Sequence, residues 1–400
     1  MITYVFSGGG TGGHLYPGLA IAAEIKKRAK VPVRTIFICS DRPLDAEILT
    51  KANAEFVVSS AKPLSTRLTA AVRFVRSWGV SVRQTRRMIR EHRAVQAAAG
   101  ESGPIMLVAM GGFVAAPSVQ GALAERVPVA LVNLDAIPGK ANRWIARRVQ
   151  LAFSAAKLVP GSGLPDWTVN VSPIVRSQAS SGSSGAAARA EFRRRLGLNA
   201  EAPTLMVTGG SQGAKSINDF VTAFALSDAG QHVLKTEPEA ADRPAWQILH
   251  QTGKDGDSVV AEAYKRAGLA AVVRPFADAM GDWWGAADLA IARAGAGNVG
   301  EVWGNKVPTI FMPYPHHKDE HQRYNAMPLE QAGGVRVVRD QIDAAKNLET
   351  IGPVLSQLIE SGELRKQMWA SLERMGPADG AGRIAQSLLE TVTPAPGYDR

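Results

Sequence analysis

Two glycine-rich turns and one polar segment hold the residue types best suited to gripping a phosphorylated ligand. The first turn is Ser7-Gly8-Gly9-Gly10-Thr11-Gly12-Gly13-His14 and the second is Gly209-Gly210-Ser211-Gln212-Gly213-Ala214. Each follows a short apolar run and precedes a helical pattern, Pro17–Lys27 in the first case. A glycine turn between strand and helix lets backbone amides approach a phosphate, and the helix amino end adds partial positive charge. Gly8-x-Gly10-x-x-Gly13 formally matches a dinucleotide fingerprint, with Asp41 placed to bind a ribose. A second turn of the same design does not suit a nicotinamide or flavin site. The P-loop pattern is absent. His14 has a bland reading, a helix-start imidazole bonded to water or backbone. At a strand's carboxyl end it also projects into the expected ligand crevice, where it can accept a proton or meet a diphosphate.

The segment 292–325 is the densest in unusual chemistry. Arg293-Ala294-Gly295-Ala296-Gly297-Asn298 leads into a helix carrying Glu301, and His316-His317-Lys318-Asp319-Glu320-His321-Gln322-Arg323-Tyr324-Asn325 follows. A carboxylate near a helix start can simply pair with the helix dipole. Beside a glycine loop it is read here as an acceptor for two vicinal ribose hydroxyls. The histidine cluster lacks HExxH spacing, and adjacent loop ligands rarely close one tetrahedron, so no metal site is expected. His321, Gln322 and Asn325 instead suit the hydroxyls of a sugar.

These groups must be positioned by alternating strands and helices. Buried-strand runs are Ile2–Phe6, Thr35–Cys39, Ile105–Ala109, Pro128–Val132, Leu205–Thr208, Trp246–His250, Ala271–Val273, Leu289–Ala292 and Thr309–Met312. Ala- and Leu-rich stretches between them supply crossover helices, which predicts doubly wound α/β folding. The chain has 400 residues, 46% hydrophobic and 20% charged, enough for two cores. The expected domains are 1–176 and 201–375. Residues 177–200, rich in Ser and Gly, read as a linker. A helix returning to the first domain and a tail fill 376–400. Cys39 is the only cysteine, so intrachain disulfides and multi-cysteine metal sites are excluded. No run approaches ~18 consecutive apolar residues, so no membrane span is expected. The N-terminus lacks the basic stretch of a signal peptide. A net charge of +10 favours a polyanionic partner.

Taken together, the motifs resemble the MurG family, UDP-N-acetylglucosamine transferases that convert lipid I to lipid II in peptidoglycan synthesis. The resemblance rests on Gly9 to His14 with Pro17, Met110-Gly111-Gly112-Phe113, and Ile137-Pro138-Gly139 with Asn142. In the second half it rests on Gly209 to Ala214 with Asn218, His250-Gln251-Thr252-Gly253-Lys254, Pro275-Phe276, Arg293 to Ala296 with Glu301, and His321-Gln322 with Asn325. It implies the GT-B architecture: two Rossmann-like, doubly wound domains facing across a cleft. It also implies inversion at the anomeric carbon with no cofactor and no metal, UDP-GlcNAc being a substrate. The roles it implies put Glu301 on the ribose and the backbone near Ala277 on the uracil. Ser211, Gln212 and Gly213, with Arg176, would hold the diphosphate. Ala296, Gly297 and Asn298 would line the nucleotide pocket, and His321, Gln322 and Asn325 the GlcNAc. Thr11, Gly12, Gly13 and His14 would face the acceptor diphosphate and the reacting sugar, with Gly10, Phe113, Asn133 and Asn142 on the acceptor side.

Departures from the family pattern concentrate in the first half. The family's His-Glu-Gln-Asn reads Val132-Asn133-Leu134-Asp135, its tyrosine is Phe113, and Asn298 and Lys306 flank Glu301 in place of a hydroxyl residue and a glycine. With the glutamate replaced, base duty falls to His14 or Asp135. Between Lys62 and Arg93 nine basic residues face one acid, Glu91. Arg73, Arg76, Trp78, Arg83, Arg86 and Arg87 are read as a basic amphipathic surface for anionic lipid. The alternative is a core-facing stripe with a solvated charged face. No RNA-binding signature accompanies the arginines, so nucleic acid is not expected. The expected protein is a peripheral transferase on the cytoplasmic face of a bacterial plasma membrane. The alternatives are a transferase of the same fold with another acceptor, a UDP-GlcNAc 2-epimerase, and a non-catalytic UDP-sugar-binding protein.

Overall fold

The computed structural model describes residues 1–10, 12–63, 68–182, 185–210, 213–235, 245–254 and 256–392. The chain divides into two compact units, Met1–Arg176 with Asp379–Arg400, and Ser177–Ala378.

In the first unit the strands are β1 (Ile2–Ser7), β2 (Val33–Cys39), β3 (Glu55–Val58), β4 (Ile105–Ala109), β5 (Val129–Asn133), β6 (Leu151–Ser154) and β7 (Val169–Asn170). They form one parallel sheet in the order β3-β2-β1-β4-β5-β6-β7. Crossovers are made by α1 (Gly12–Arg28), α2 (Pro43–Lys51), α3 (Leu68–Ala98), α4 (Gly112–Ala124) and α5 (Lys140–Ala146). Val5, Leu107 and Leu131 of the central strands meet Val114, Val119 and Ile145 in a closed apolar core. Strands covered on both faces need continuous apolar runs, which is why they are legible in the sequence. The order reverses between β1 and β4. In open α/β sheets ligands bind beyond the carboxyl ends at such a switch point.

The second unit repeats the plan. Its helices and strands run α6 (Ala186–Arg195), β8 (Thr204–Thr208), α7 (Lys215–Leu226), α8 (Asp228–Leu234), β9 (Gln247–Gln251), α9 (Asp257–Ala267), β10 (Ala271–Arg274), α10 (Met280–Ala286), β11 (Leu289–Ala292), α11 (Ala296–Asn305), β12 (Thr309–Phe311), α12 (His321–Gln331), β13 (Val335–Val337), α13 (Ala344–Glu360) and α14 (Gly362–Arg374). The sheet order is β10-β9-β8-β11-β12-β13, all parallel, with its reversal between β8 and β11. Leu205, Val207, Ile248, Ile291 and Ile310 pack on Ile217, Phe220, Phe224, Leu355 and Leu358.

All nine apolar runs are strands, with ends shifted by at most two residues. Four further strands, β3, β6, β7 and β13, lie at or next to sheet edges. The stretch read as a linker is not flexible throughout. It contains α6, whose Phe192 sits against Gly285 of α10 and whose buried Arg193 pairs with Asp288. Its Ser/Gly composition is confined to the residues before 186. The chain ends its described part in α15 (Gly380–Val392), which belongs to the first unit and packs on α1, with the Tyr4 hydroxyl donating to the Leu388 carbonyl at 3.2 Å.

Candidate active site

Gly8 to Gly10 leave β1 at the switch point of the first unit, and Gly111-Gly112 leave β4 beside them. Gly10 has φ +89°, and a Cβ there would lie 2.7 Å from Phe113 Cε1, so both conformation and space demand glycine. The turn is held by a residue that sequence reading missed. Asp45 is fully buried, and its Oδ2 accepts from the Gly10 amide at 2.8 Å, the Ser40 amide at 3.1 Å and the Ser40 hydroxyl at 2.6 Å. Arg42 donates to the Gly10 carbonyl, so α2 grips both sides of one residue.

The His14 ring lies over the Gly111-Gly112 turn: a Cβ on Gly112 would stand 3.4 Å from its Nδ1. Burial pushes the imidazole below its ordinary range, while Asp135, Asp45 and a bond to the Gly9 backbone work the other way. The ring is therefore neutral at pH 7, the form a general base requires. Asp135 follows β5 and has its carbonyl bound by Asn133 Nδ2 at 2.7 Å. Asn133 itself is buried, bonded also to Ser154 Oγ at 3.0 Å and to Asn142 Nδ2 at 3.0 Å. Both side chains belong to a buried polar knot beside the turn that carries Asp135.

In the second unit Gly209 and Gly210 leave β8, and Gly213 returns the chain to α7. Gly213 has φ +72°, and a Cβ would lie 2.3 Å from the Thr252 carbonyl. The Gly210 amide donates to Thr208 Oγ1 at 3.0 Å. Arg293 ends β11. Its guanidinium bonds the Met312 carbonyl and Ser216 Oγ, each at 2.8 Å, and pairs with buried Asp340 at 2.8 Å. It thereby ties the helix after the glycine turn to the exit of β12. Burial pushes Asp340 up, but bonds from Ser216 and Asn347 and the Arg293 charge carry it below the usual carboxylate range. Asn298 of α11 donates to the Arg293 carbonyl at 2.9 Å, and its Nδ2 stands 3.8 Å from a Cβ built on Gly210. The two loops therefore adjoin at the switch point, flanked by Ala296 and Gly297.

Glu301 is buried one turn further on, and its Oε2 accepts from the Trp284 indole at 2.8 Å. Trp284, a second residue the sequence did not flag, fixes the carboxylate's orientation. Asn325 donates to the Ala294 carbonyl at 3.4 Å, drawing α12 onto the Arg293 loop, while Gln322 Oε1 accepts from the Tyr314 amide and His321 meets Asp319 at 2.8 Å. His317 and His321 stack with ring centres 4.3 Å apart, and His317 packs edge-on to Tyr314. Among the described residues no group of three or more His, Cys, Asp or Glu is placed to hold a metal ion. Buried Ala277 follows β10 and precedes α10. Thr11, Ser211 and Gln212 lie outside the described residues.

Residues 4–154 match the glycosyltransferase family 28 N-terminal domain and residues 204–374 the family 28 C-terminal domain. The UDP-N-acetylglucosamine--N-acetylmuramyl-(pentapeptide) pyrophosphoryl-undecaprenol N-acetylglucosamine transferase of Acidothermus cellulolyticus is 33% identical over 95% of both chains. The protein of that name from Clavibacter michiganensis is 33% identical over 99% of this chain and 98% of its own. The chain belongs to the MurG family. The crystal structure of Acinetobacter baumannii MurG superposes with a TM-score of 0.68 at 21% identity, covering 98% of this chain and 100% of that one. A UDP-GlcNAc 2-epimerase from Neisseria meningitidis shares the fold, with a TM-score of 0.60 at 12% identity over 98% of this chain and 99% of that one. The MurG-family chain described here is thus a GT-B glycosyltransferase.

Its departures from the family pattern have local physical accounts. Lys306, where the family has glycine, takes φ +59° and directs its ammonium to the Leu372 carbonyl in the last turn of α14 and the Gly376 carbonyl beyond it. Arg176 stacks on Tyr16 of α1, 4.1 Å from guanidinium carbon to ring centre. Gly12, on the same helix, would bring a Cβ to 2.9 Å from that ring, and Gly13 is exposed beside it. Part of the basic surface is ion-paired: Arg86 and Arg90 both bond Glu125, holding its carboxyl down at about 2, and Arg87 pairs with Glu91 while remaining exposed. Arg73, Arg76 and Arg83 are exposed with no carboxylate partner among the described residues. Val72 and Val75, at 59% and 67% exposure, are not core. The buried face of α3 is Ser81, Thr85, Ile89, His92 and Gln96. Trp78 is half-buried, edge-on to Trp144.

Proposed function

We propose that this protein transfers GlcNAc from UDP-GlcNAc to lipid I, undecaprenyl-diphosphate-MurNAc-peptide, giving lipid II with inversion and without metal. The observation that carries this is the full-length agreement, at 33% identity, with transferases bearing that name. The second unit takes the donor. Amides of the 209–213 turn, with Ser211, Gln212 and Arg176, hold the diphosphate. Glu301 takes the ribose, the Ala277 backbone the uracil, and His321, Gln322 and Asn325 the sugar. In the first unit, Gly10 to His14 and Phe113 receive the acceptor diphosphate and reacting sugar.

Neutral His14, with Asp135 supporting the imidazolium that forms, takes the proton of the acceptor hydroxyl. The hydroxyl oxygen bonds to the anomeric carbon as the bond from that carbon to the β-phosphate oxygen breaks, and UDP carries away the electron pair. Preorganised amides and an arginine stabilise the charge that develops on UDP.

Docking places the exposed face of α3 on anionic lipid. Val72, Arg76, Gly79 and Arg83 fall at i, i+4, i+7 and i+11, one helical face, with Arg73 and Trp78 flanking it. No helix of the described residues is long and apolar enough to cross a membrane. The enzyme then works as a peripheral protein on the cytoplasmic leaflet of the plasma membrane, where both substrates meet.

Incubation with UDP-GlcNAc and synthetic lipid I tests the reaction. Lipid-dependent UDP release is expected. Conversion of the sugar without lipid marks an epimerase and defeats the proposal, as does no turnover at all. Flotation with anionic against neutral vesicles tests docking. Equal binding to both removes it.

A further inference from the structure

We infer that Arg42 is an additional binding residue for the acceptor's diphosphate. The inference rests on the reading of the first glycine turn as the acceptor-phosphate site. Arg42 caps α2 and is exposed, yet its guanidinium is not loose. One N–H donates to the Gly10 carbonyl, and the guanidinium carbon lies 6.0 Å from the centre of the Phe113 ring. Those two contacts orient the fork beside the turn whose Gly10 amide is already fixed by Asp45.

A guanidinium has five N–H donors, and the Gly10 carbonyl uses one. No carboxylate pairs with Arg42 among the described residues, and the adjacent acid, Asp41, is taken by Lys62. The result is a preoriented cation with spare donors beside the Gly10 turn. That combination recognises a phosphate oxygen pair, for which a planar fork is better matched than an ammonium. The Gly10 turn is the one the proposed function gives to the acceptor's diphosphate, so the phosphate Arg42 serves is the acceptor's.

The test is steady-state kinetics with UDP-GlcNAc and a short-chain lipid I analogue, on wild type, Arg42→Gln and Arg42→Lys, with thermal melting of each. Arg42→Gln is expected to raise acceptor KM about ten- to a hundredfold, the loss of a charge-assisted contact, with donor KM within about twofold. Arg42→Lys is expected to recover part of that loss. If Arg42 only braces the turn, kcat and Tm fall together and acceptor KM does not move, which overturns the inference. Titration of inorganic pyrophosphate with UDP present to fill the donor loop provides a readout independent of lipid I. Weaker pyrophosphate binding by Arg42→Gln supports the phosphate role even should wild type not turn over lipid I, a result that would fault the acceptor reading alone. Equal binding by wild type and variant overturns it.

Discussion

The two glycine turns share a backbone plan but differ in what holds them. Asp45 and Arg42 clamp the first, and an ionisable ring, His14, lies at its end with Asp135 nearby. At the second, Thr208 Oγ1 receives the Gly210 amide, Asn218 Nδ2 donates to the Thr252 carbonyl that closes on Gly213, and the Arg293–Asp340 pair grips Ser216 just beyond. Asn218 also bonds Nε2 of the buried His250, whose Nδ1 meets the Tyr264 hydroxyl; burial pushes that imidazole down to about 3. One turn has an ionisable ring at its end. The other has its histidine sealed and uncharged behind the loop. Similar folds thus differ in what surrounds their loops.

Breaking the first turn's chemistry gives the largest effect. His14→Ala is expected to lower kcat about a thousandfold while donor KM stays within about twofold. Near-normal turnover in this variant and in Asp135→Asn would mean the base lies elsewhere.

The sealed histidine of the second turn makes a stability prediction. Unfolding exposes His250, whose ordinary pKa of 6.5 exceeds its folded value of about 3. Between those values the unfolded chain binds the extra proton, so stability falls as pH drops, by about 1.4 kcal/mol per unit for this one group. Denaturant melts at pH 6 and pH 4 should show a shallower acid loss in His250→Gln. Identical slopes would show the ring protonates freely when folded.

At the donor carboxylate, Glu301→Gln is expected to raise UDP-GlcNAc KM about thirtyfold, equivalent to about 2 kcal/mol, leaving acceptor KM unchanged. Trp284→Phe should move the same constant in the same direction by less. The smallest expected effect is that of Asp135→Asn, about tenfold in kcat. Asp135 raises the His14 pKa, so its loss should also move the acid limb of the kcat/KM profile to lower pH. A limb moving upward would contradict the pairing.

Much of this was legible in the residues because the signals are local. A buried parallel strand must be continuously apolar, so Ile105–Ala109 or Leu289–Ala292 can hardly be anything else. The short β3 and β7 escaped because they lie at the sheet's edge, half open to water. Glycine turns announce themselves through composition. Their supports do not. Asp45 looks like ordinary dipole pairing at the start of α2, and nothing in its neighbourhood of sequence connects it to Gly10, 35 residues away. Trp284 reads as core and is core; only its indole nitrogen reveals the second task. The pairing of the basic stripe was equally hidden, because Glu125, which bonds Arg86 and Arg90, comes from a distant part of the chain.

The crossing of α15 onto α1 makes the first unit discontinuous, with its last helix encoded after all of Ser177–Ala378. The residues that complete this unit are therefore made only after the whole of Ser177–Ala378. Until then α1 and the Tyr4 hydroxyl await α15, while Ser177–Ala378 already has its whole sequence. A gene cut after codon 176 would yield a fragment with an uncovered flank, one that invites chaperones or self-association, whereas expression of residues 177–378 omits no part of its unit.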